Sequence, residues 1–139
     1  MVGIVDVSAV AADPRAPAVG RVLDVYFSGI NAKDFTRALS VFDPAGVLNP
    51  GNPDHVGKFA HDDGTSVVSA VVVHGISDDP TRAGAVTVST TFQSTQASGY
   101  GPRGRETETC TRWTVAYTFT ASTGGVYLIL RGDSQSAAC

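Results

Sequence analysis

The sequence has little of what usually betrays a function. No apolar run approaches the roughly 20 residues that a membrane-crossing helix needs; the densest stretch, Val67 to Val73, already contains Ser69. Positive charge is scarce: ten Lys and Arg stand against 13 Asp and Glu, for a net charge of −3 and no basic block. That removes the driving force for nucleic-acid and anionic-membrane binding, so no nucleic-acid partner and no membrane insertion by this segment are expected. A nucleophile elbow, a phosphate loop and a dinucleotide fingerprint are all missing, and no cofactor or metal is expected. Two cysteines, Cys110 and Cys139, are too few for a disulfide framework or for a zinc site of their own.

What remains is 139 residues, 42% hydrophobic and 17% charged, enough for one folded domain with a modest core. Residues 1–12 are mostly small and read as a flexible leader, with a single domain over 13–139. The opening MVGIVDVSAVAADPRA lacks the positive start and unbroken apolar core of an export signal, because Asp6 interrupts it. If the protein is exported, its signal or anchor is expected outside this segment.

Asp13-Pro14 is a helix-start signal. Val19, Val22, Leu23, Tyr26, Phe27 and Ile30 then form one continuous helical stripe. After a break at Asn31–Lys33, Asp34 caps a second helix running through Phe42, which Asp43-Pro44 stops. Asn52-Pro53 opens a shorter third helix that ends by Asp62-Asp63-Gly64. From Ser66 the pattern becomes β-branched and alternating. Strands are predicted from Val67 to Ile76, over 84–96, over 109–120 and from Val126 to Leu130, with SGYGPRGR as an exposed loop between the second and third. On the third strand Trp113, Val115, Tyr117 and Phe119 share one face; Cys110, Arg112, Thr114, Ala116, Thr118 and Thr120 share the other. Helices first and a meander of strands after predict an α+β fold, three N-terminal helices packed on a curved antiparallel sheet.

Gly124-Gly125 reads as a two-residue hairpin turn. Thr123 then faces Val126, and counting back residue by residue puts Cys110 opposite Cys139. The odd number of steps predicts a non-hydrogen-bonded pair, with Cα atoms about 4.5 Å apart, at the short end of what a disulfide tolerates. A Cys110–Cys139 disulfide is therefore expected, and with it an oxidising, extracytoplasmic compartment.

The stretch VLDVYFSGINAKDFTRALSVFDPAGVLNP resembles the N-terminal signature of the nuclear transport factor 2-like superfamily. It has an aromatic at Tyr26 on the first helix, an Asn-x-x-Asp break at Asn31–Asp34 and a Val41-Phe42 pair closing the second helix. The resemblance implies a cone of three helices wrapped by a curved sheet, often with an apolar pocket and often dimeric through the open sheet face. Here the threonine-rich face of strand 109–120 is the candidate for such a homodimer. Among enzymes of this fold, ketosteroid isomerase places a tyrosine where Tyr26 stands and a general-base aspartate after the second helix. This chain reads Val47-Leu48-Asn49-Pro50 there, and an amide cannot take the proton. Polyketide cyclases and limonene epoxide hydrolase use acidic residues inside the cone, but the apolar faces of strands 84–96 and 109–131 carry no Asp or Glu.

The remaining chemistry-bearing residues have ordinary roles. His55 and His61 lie about 240° apart around a helix and cannot share a metal. His74 ends a valine run, Arg131-Gly132-Asp133 ends a strand, and Arg103, Arg105 and Arg112 read as surface charge beside Glu106 and Glu108. Tyr26, Phe42, Phe92, Trp113 and Tyr117 form the candidate ligand pocket, with two hydroxyls and an indole N–H as polar handles. The expectation is a non-catalytic extracytoplasmic domain that binds a small apolar ligand or another protein. It resembles outer domains of bacterial cell-surface proteins, some serine/threonine kinases among them. The alternative is an isomerase or cyclase acting on a small apolar molecule in the cone.

Overall fold

The computed structural model describes residues 1–122 and 124–139. The order is β1 (Val5–Asp6), a 3-10 turn (Ser8–Val10), α1 (Ala16–Asn31), α2 (Phe35–Leu39), α3 (Pro53–Asp62), β2 (Val67–Asp78), β3 (Val86–Thr95), β4 (Cys110–Ala121) and β5 (Tyr127–Ala138). The sheet runs β1-β2-β3-β4-β5, antiparallel from β2 onward, and its inner face packs on the helices. This is the expected α+β cone.

The helices form where the sequence places their signals, with one shift. Asn52 accepts the Asp54 N–H (2.9 Å) at the start of α3, and Asp34 accepts the Arg37 N–H (3.1 Å) at the start of α2. Asp13 does not cap α1. Its carboxylate instead takes the Arg15 N–H and the Arg15 guanidinium (2.9 Å each), and the helix begins at Ala16 with Pro17 in its first turn. The α1 stripe is buried as patterned, with Leu23 and Val19 fully inside and Phe27 nearly so, while Tyr26 keeps partial exposure. α2 stops at Leu39, short of the expected Phe42, and Phe42 makes a parallel bridge to Ile129.

Two expectations about the ends of the chain are corrected. Residues 1–12 are not a loose leader: Val5 and Asp6 pair in parallel with Val71 and Val72, and Val5 is 0% exposed. The strand pairing, the buried Val5 side chain and the Ile4 N–H donated to Asp24 Oδ1 (3.0 Å) hold the segment. At the hairpin, the expected Thr123–Val126 pair lies outside the described residues, but Ser122 donates its N–H to Val126 O (2.7 Å), one residue out of the expected register. A bulge between Thr118 and Phe119 restores the register, so Thr111 faces Ala138. Cys110 and Cys139 are disulfide-bonded, with Cα atoms 5.5 Å apart. Because Ser122 is a hydrogen-bonded position and Cys110 lies an even number of steps from it, Cys110 is one too: Cys139 N–H donates to Cys110 O (3.3 Å).

A second bulge bends β2 at Ala70, whose φ is 53°, so that Val68 and Val71 both reach the core despite their odd spacing. Together the bulges curve the sheet around α1. On the outer face of β4, Thr118 and Thr120 are buried, and the Thr120 hydroxyl donates to Asp43 Oδ2 (2.8 Å). The open polar stretch is thereby shortened to the region of Arg112, Thr114 and Ala116.

α1 and α2 touch most closely at Gly29, where an added Cβ would sit 2.8 Å from the Ala38 backbone nitrogen. Alanine in a helix interior normally gains about 1 kcal/mol over glycine. Here the obstacle is backbone, and overpacking of this kind costs about 1–3 kcal/mol. Gly29→Ala is therefore expected to lower stability, by up to about 2 kcal/mol in urea unfolding, against the helix-propensity trend.

Candidate functional site

The curvature leaves a cavity of about 340 Å³ between α1, the α3–β2 turn and the inner face of the sheet. Tyr26, Phe42, Phe92, Trp113 and Tyr117 all border it. Register explains how strand residues distant in sequence arrive together. Phe92 pairs directly with Trp113, their rings stacked at 6.1 Å, and Tyr117 pairs with Gly132. Tyr26 reaches across from α1, its ring 5.4 Å from Phe42 and 6.4 Å from Tyr117. Gly132 has a packing role: a Cβ there would stand 3.0 Å from the Tyr117 ring. The Arg-Gly-Asp triplet thus holds its glycine for the tyrosine above it.

The cavity is not free of carboxylates. Asp63, immediately after α3, lines it, with Asp62 nearer the rim. Burial pushes the Asp63 carboxyl up to about 6; the Asp62 charge adds to this, and Lys33 and Lys58 offset part of it. The carboxylate accepts no hydrogen bond from the described residues. Lys33 donates its ammonium to Ser66 O, and Lys58 pairs with Asp62, so neither forms an ion pair with Asp63. Burial also raises Tyr26 and Tyr117 well above the usual phenol range, with the Asp63 charge adding to both, and they stay protonated donors at neutral pH. Neither hydroxyl bonds to another described group.

The inner strand faces carry no acid, as expected. The correction is that a helix end supplies one. Asp62-Asp63-Gly64 reads in sequence as a helix stop and nothing more. The available signal was its polarity: carboxylates at a helix C-terminus oppose the macrodipole, so two of them there are not placed for helix stability. Asn49, where a base would stand in ketosteroid isomerase, does not line the cavity; its side chain accepts the Gly51 N–H (2.8 Å) and closes a turn.

Trp113 is tied in place by a buried polar chain. Its indole N–H donates to Ser94 Oγ (2.9 Å), Ser94 donates to Gln96 Oε1 (2.8 Å), and Gln96 donates to Thr111 Oγ1 (2.9 Å). Thr111 donates to Glu108 Oε1 (2.8 Å), and Arg105 binds Glu108 (2.7 Å) and Ser136 (2.8 Å). The loop expected to be simply exposed is anchored by this chain and folds onto the rim through Tyr100, Gly101 and Pro102.

No histidine lines the cavity among the described residues. His55 accepts the Asn49 N–H (3.0 Å), His61 packs beside Tyr100 (5.7 Å between rings), and His74 bonds Thr91 (2.7 Å) on the exposed side of β2. Among the described residues, no group of three metal-ligating side chains comes together.

No family model and no curated protein matches this sequence. Solved structures do. A ketosteroid isomerase-like protein from Erwinia carotovora atroseptica is 14% identical with a TM-score of 0.63, covering 91% of this chain and 99% of its own. A conserved protein from Planctomyces limnophilus is 13% identical with a TM-score of 0.59, covering 88% and 95%. A protein from Xanthomonas campestris is 13% identical with a TM-score of 0.62, covering 99% and 98%. At these TM-scores and coverages, and with three helices on a curved sheet of its own, this chain has the cone-shaped nuclear transport factor 2-like fold.

Proposed function

We propose that this chain is an extracytoplasmic binding domain that takes up one small, mainly apolar molecule in its cone. The observation that supports this most is the cavity itself. It holds about 340 Å³, is walled by aromatic rings, and presents two phenols and a carboxylate that bond to no other described group. These groups face the open space of the cavity, where Asp63 and Tyr26 are half-buried, and convergent polar groups on an apolar wall are what orients a bound molecule. The Cys110–Cys139 disulfide supports the compartment, since such bonds persist mainly in oxidising surroundings.

Asp63 favours a second reading, proton transfer. A carboxylate held near 6 is ionised at neutral pH and more basic than an exposed one, and protonated phenols can polarise a carbonyl. In that chemistry Asp63 would take a proton from the carbon next to a carbonyl while Tyr26 or Tyr117 donates to the oxygen, and the carboxylic acid, after exchanging its proton with solvent, would deliver one back to carbon.

The neutral ketone 2-tetralone tests both. Trp113 is the single tryptophan and lines the cavity, so binding is expected to change its emission saturably. An unaltered spectrum at the solubility limit counts against uptake of such molecules. Deuterium incorporation next to the carbonyl in heavy water, accelerated by wild type and about 100-fold slower with Asp63→Asn, would favour the catalytic reading. Binding without exchange favours the binding domain.

A further inference from the structure

Among the described residues, no Lys, Arg or His lines the cavity, although two carboxylates do. Asp62 is matched by Lys58, but Asp63 has no counter-ion within ion-pair distance. Seven aromatic side chains line the same space, and the negative face of an aromatic ring attracts cations. Tyr117 is 6% exposed, and what exposure it has faces this space. An uncompensated carboxylate beside aromatic faces repels an anion, gains little from a hydrocarbon, and is completed by a positive centre of low hydration.

Resting on the binding reading above, we propose that the ligand is an organic cation: an apolar molecule with an ammonium centre seated between Asp63 and the rings of Tyr26, Tyr117 and Trp113. The raised Asp63 carboxyl fits this assignment, because a bound cation supplies the charge that the folded protein withholds. The other titratable groups facing Asp63 are Asp62, Lys33, Lys58, Tyr26 and Tyr117, with Tyr100 and His61 at the rim. A histidine is the other side chain that changes charge in this pH range, so the pH series is run in His61→Gln, whose exposed side chain can be replaced outside the cavity lining.

The test uses phenyltrimethylammonium and its neutral isostere tert-butylbenzene, with binding read by Trp113 emission and by calorimetry. At pH 8 the cation is expected to bind at least about tenfold more tightly than the isostere. Its affinity is expected to fall about tenfold by pH 5, with a midpoint near 6, while that of the isostere stays flat. Near pH 6 the cation should release about half a proton, seen as a binding heat that varies with buffer ionisation enthalpy. Asp63→Asn should abolish the preference and keep tert-butylbenzene binding; the pH series in His61→Gln carries the same information should that variant not fold. If the isostere binds as tightly as the cation at pH 8, the inference is overturned and the pocket reading stands. If neither probe binds, and 2-tetralone does not, both are overturned.

Discussion

At pH 8, Asp63→Asn is expected to raise the melting temperature by about 3–10 °C, and at pH 4 to leave it nearly unchanged. The carboxyl sits at about 6 in the folded chain against an ordinary 3.8, chiefly because burial penalises the charge. Below 3.8 both folded and unfolded chains carry the proton, and the group costs nothing. Between 3.8 and 6 the unfolded chain releases its proton first, so folding becomes less favourable as pH rises. Above 6 the full cost is present, at most about 3 kcal/mol for a shift of this size. Asparagine keeps the shape and discards the charge, but it buries an amide that must also find partners. The net gain is therefore about 1–2 kcal/mol, which sets the temperature range above for a domain of this size. Thermal melts of both proteins at pH 4 and pH 8 decide it. Equal melting temperatures at pH 8 would mean that the carboxylate is well solvated, and the assignment of the cavity as a cation site would lose its footing.

This prediction ties function to stability in one residue. A side chain that destabilises the empty fold at working pH, opposes a helix dipole and has no partner is hard to explain by packing. It is readily explained by a bound molecule that completes it. The same view accounts for the rigid indole: the chain from Trp113 through Ser94, Gln96 and Thr111 to Glu108 holds one wall of the cavity in a fixed position while the opposite wall carries the charge.

The sequence shows the frame more readily than the site, for physical reasons. Periodicity is a local signal, and the stripe from Val19 to Ile30 and the alternation from Val86 to Phe92 each state which way a side chain faces. Facing inward on α1, β3 and β4 is enough to bring Tyr26, Phe92, Trp113 and Tyr117 to one space. Asp63 lies outside any periodic element, on a turn whose direction depends on how α3 docks, and no pattern within its own neighbours reports that. Val5 escaped for the same reason, since two residues of parallel strand carry no alternation to read. The disulfide pairing is legible although the turn sits one residue out of the expected register, because the bulge at Thr118 shifts the ladder back. The chain termini of the hairpin converge whichever way the slack is taken up, which makes a pairing across many rungs less fragile than the register of any single rung.

Replacing both cysteines, Cys110→Ser with Cys139→Ser, is expected to lower stability by about 3–4 kcal/mol, the chain-entropy value for a bond closing a separation of 29 residues. Changing both together avoids leaving a reactive thiol. The loss has a local component, because the far half of β5 has little else to hold it: residues 131–135 are exposed, this half lies at the sheet edge, and its last rung is the disulfide pair. Fraying there removes Gly132 and Ser134 from the cavity wall and frees Arg105 from Ser136, loosening the rim loop. Amide exchange is therefore expected to accelerate over 132–138 and around Arg105 well before the core formed by Phe27, Leu39 and Phe119 opens. Urea unfolding measures the global term and exchange the local one. A drop of less than about 1 kcal/mol with unchanged exchange would show that the ladder alone secures β5. The expected result instead couples the redox state of the surroundings to the shape of the binding cavity, so that the pocket is complete only where the bond can persist.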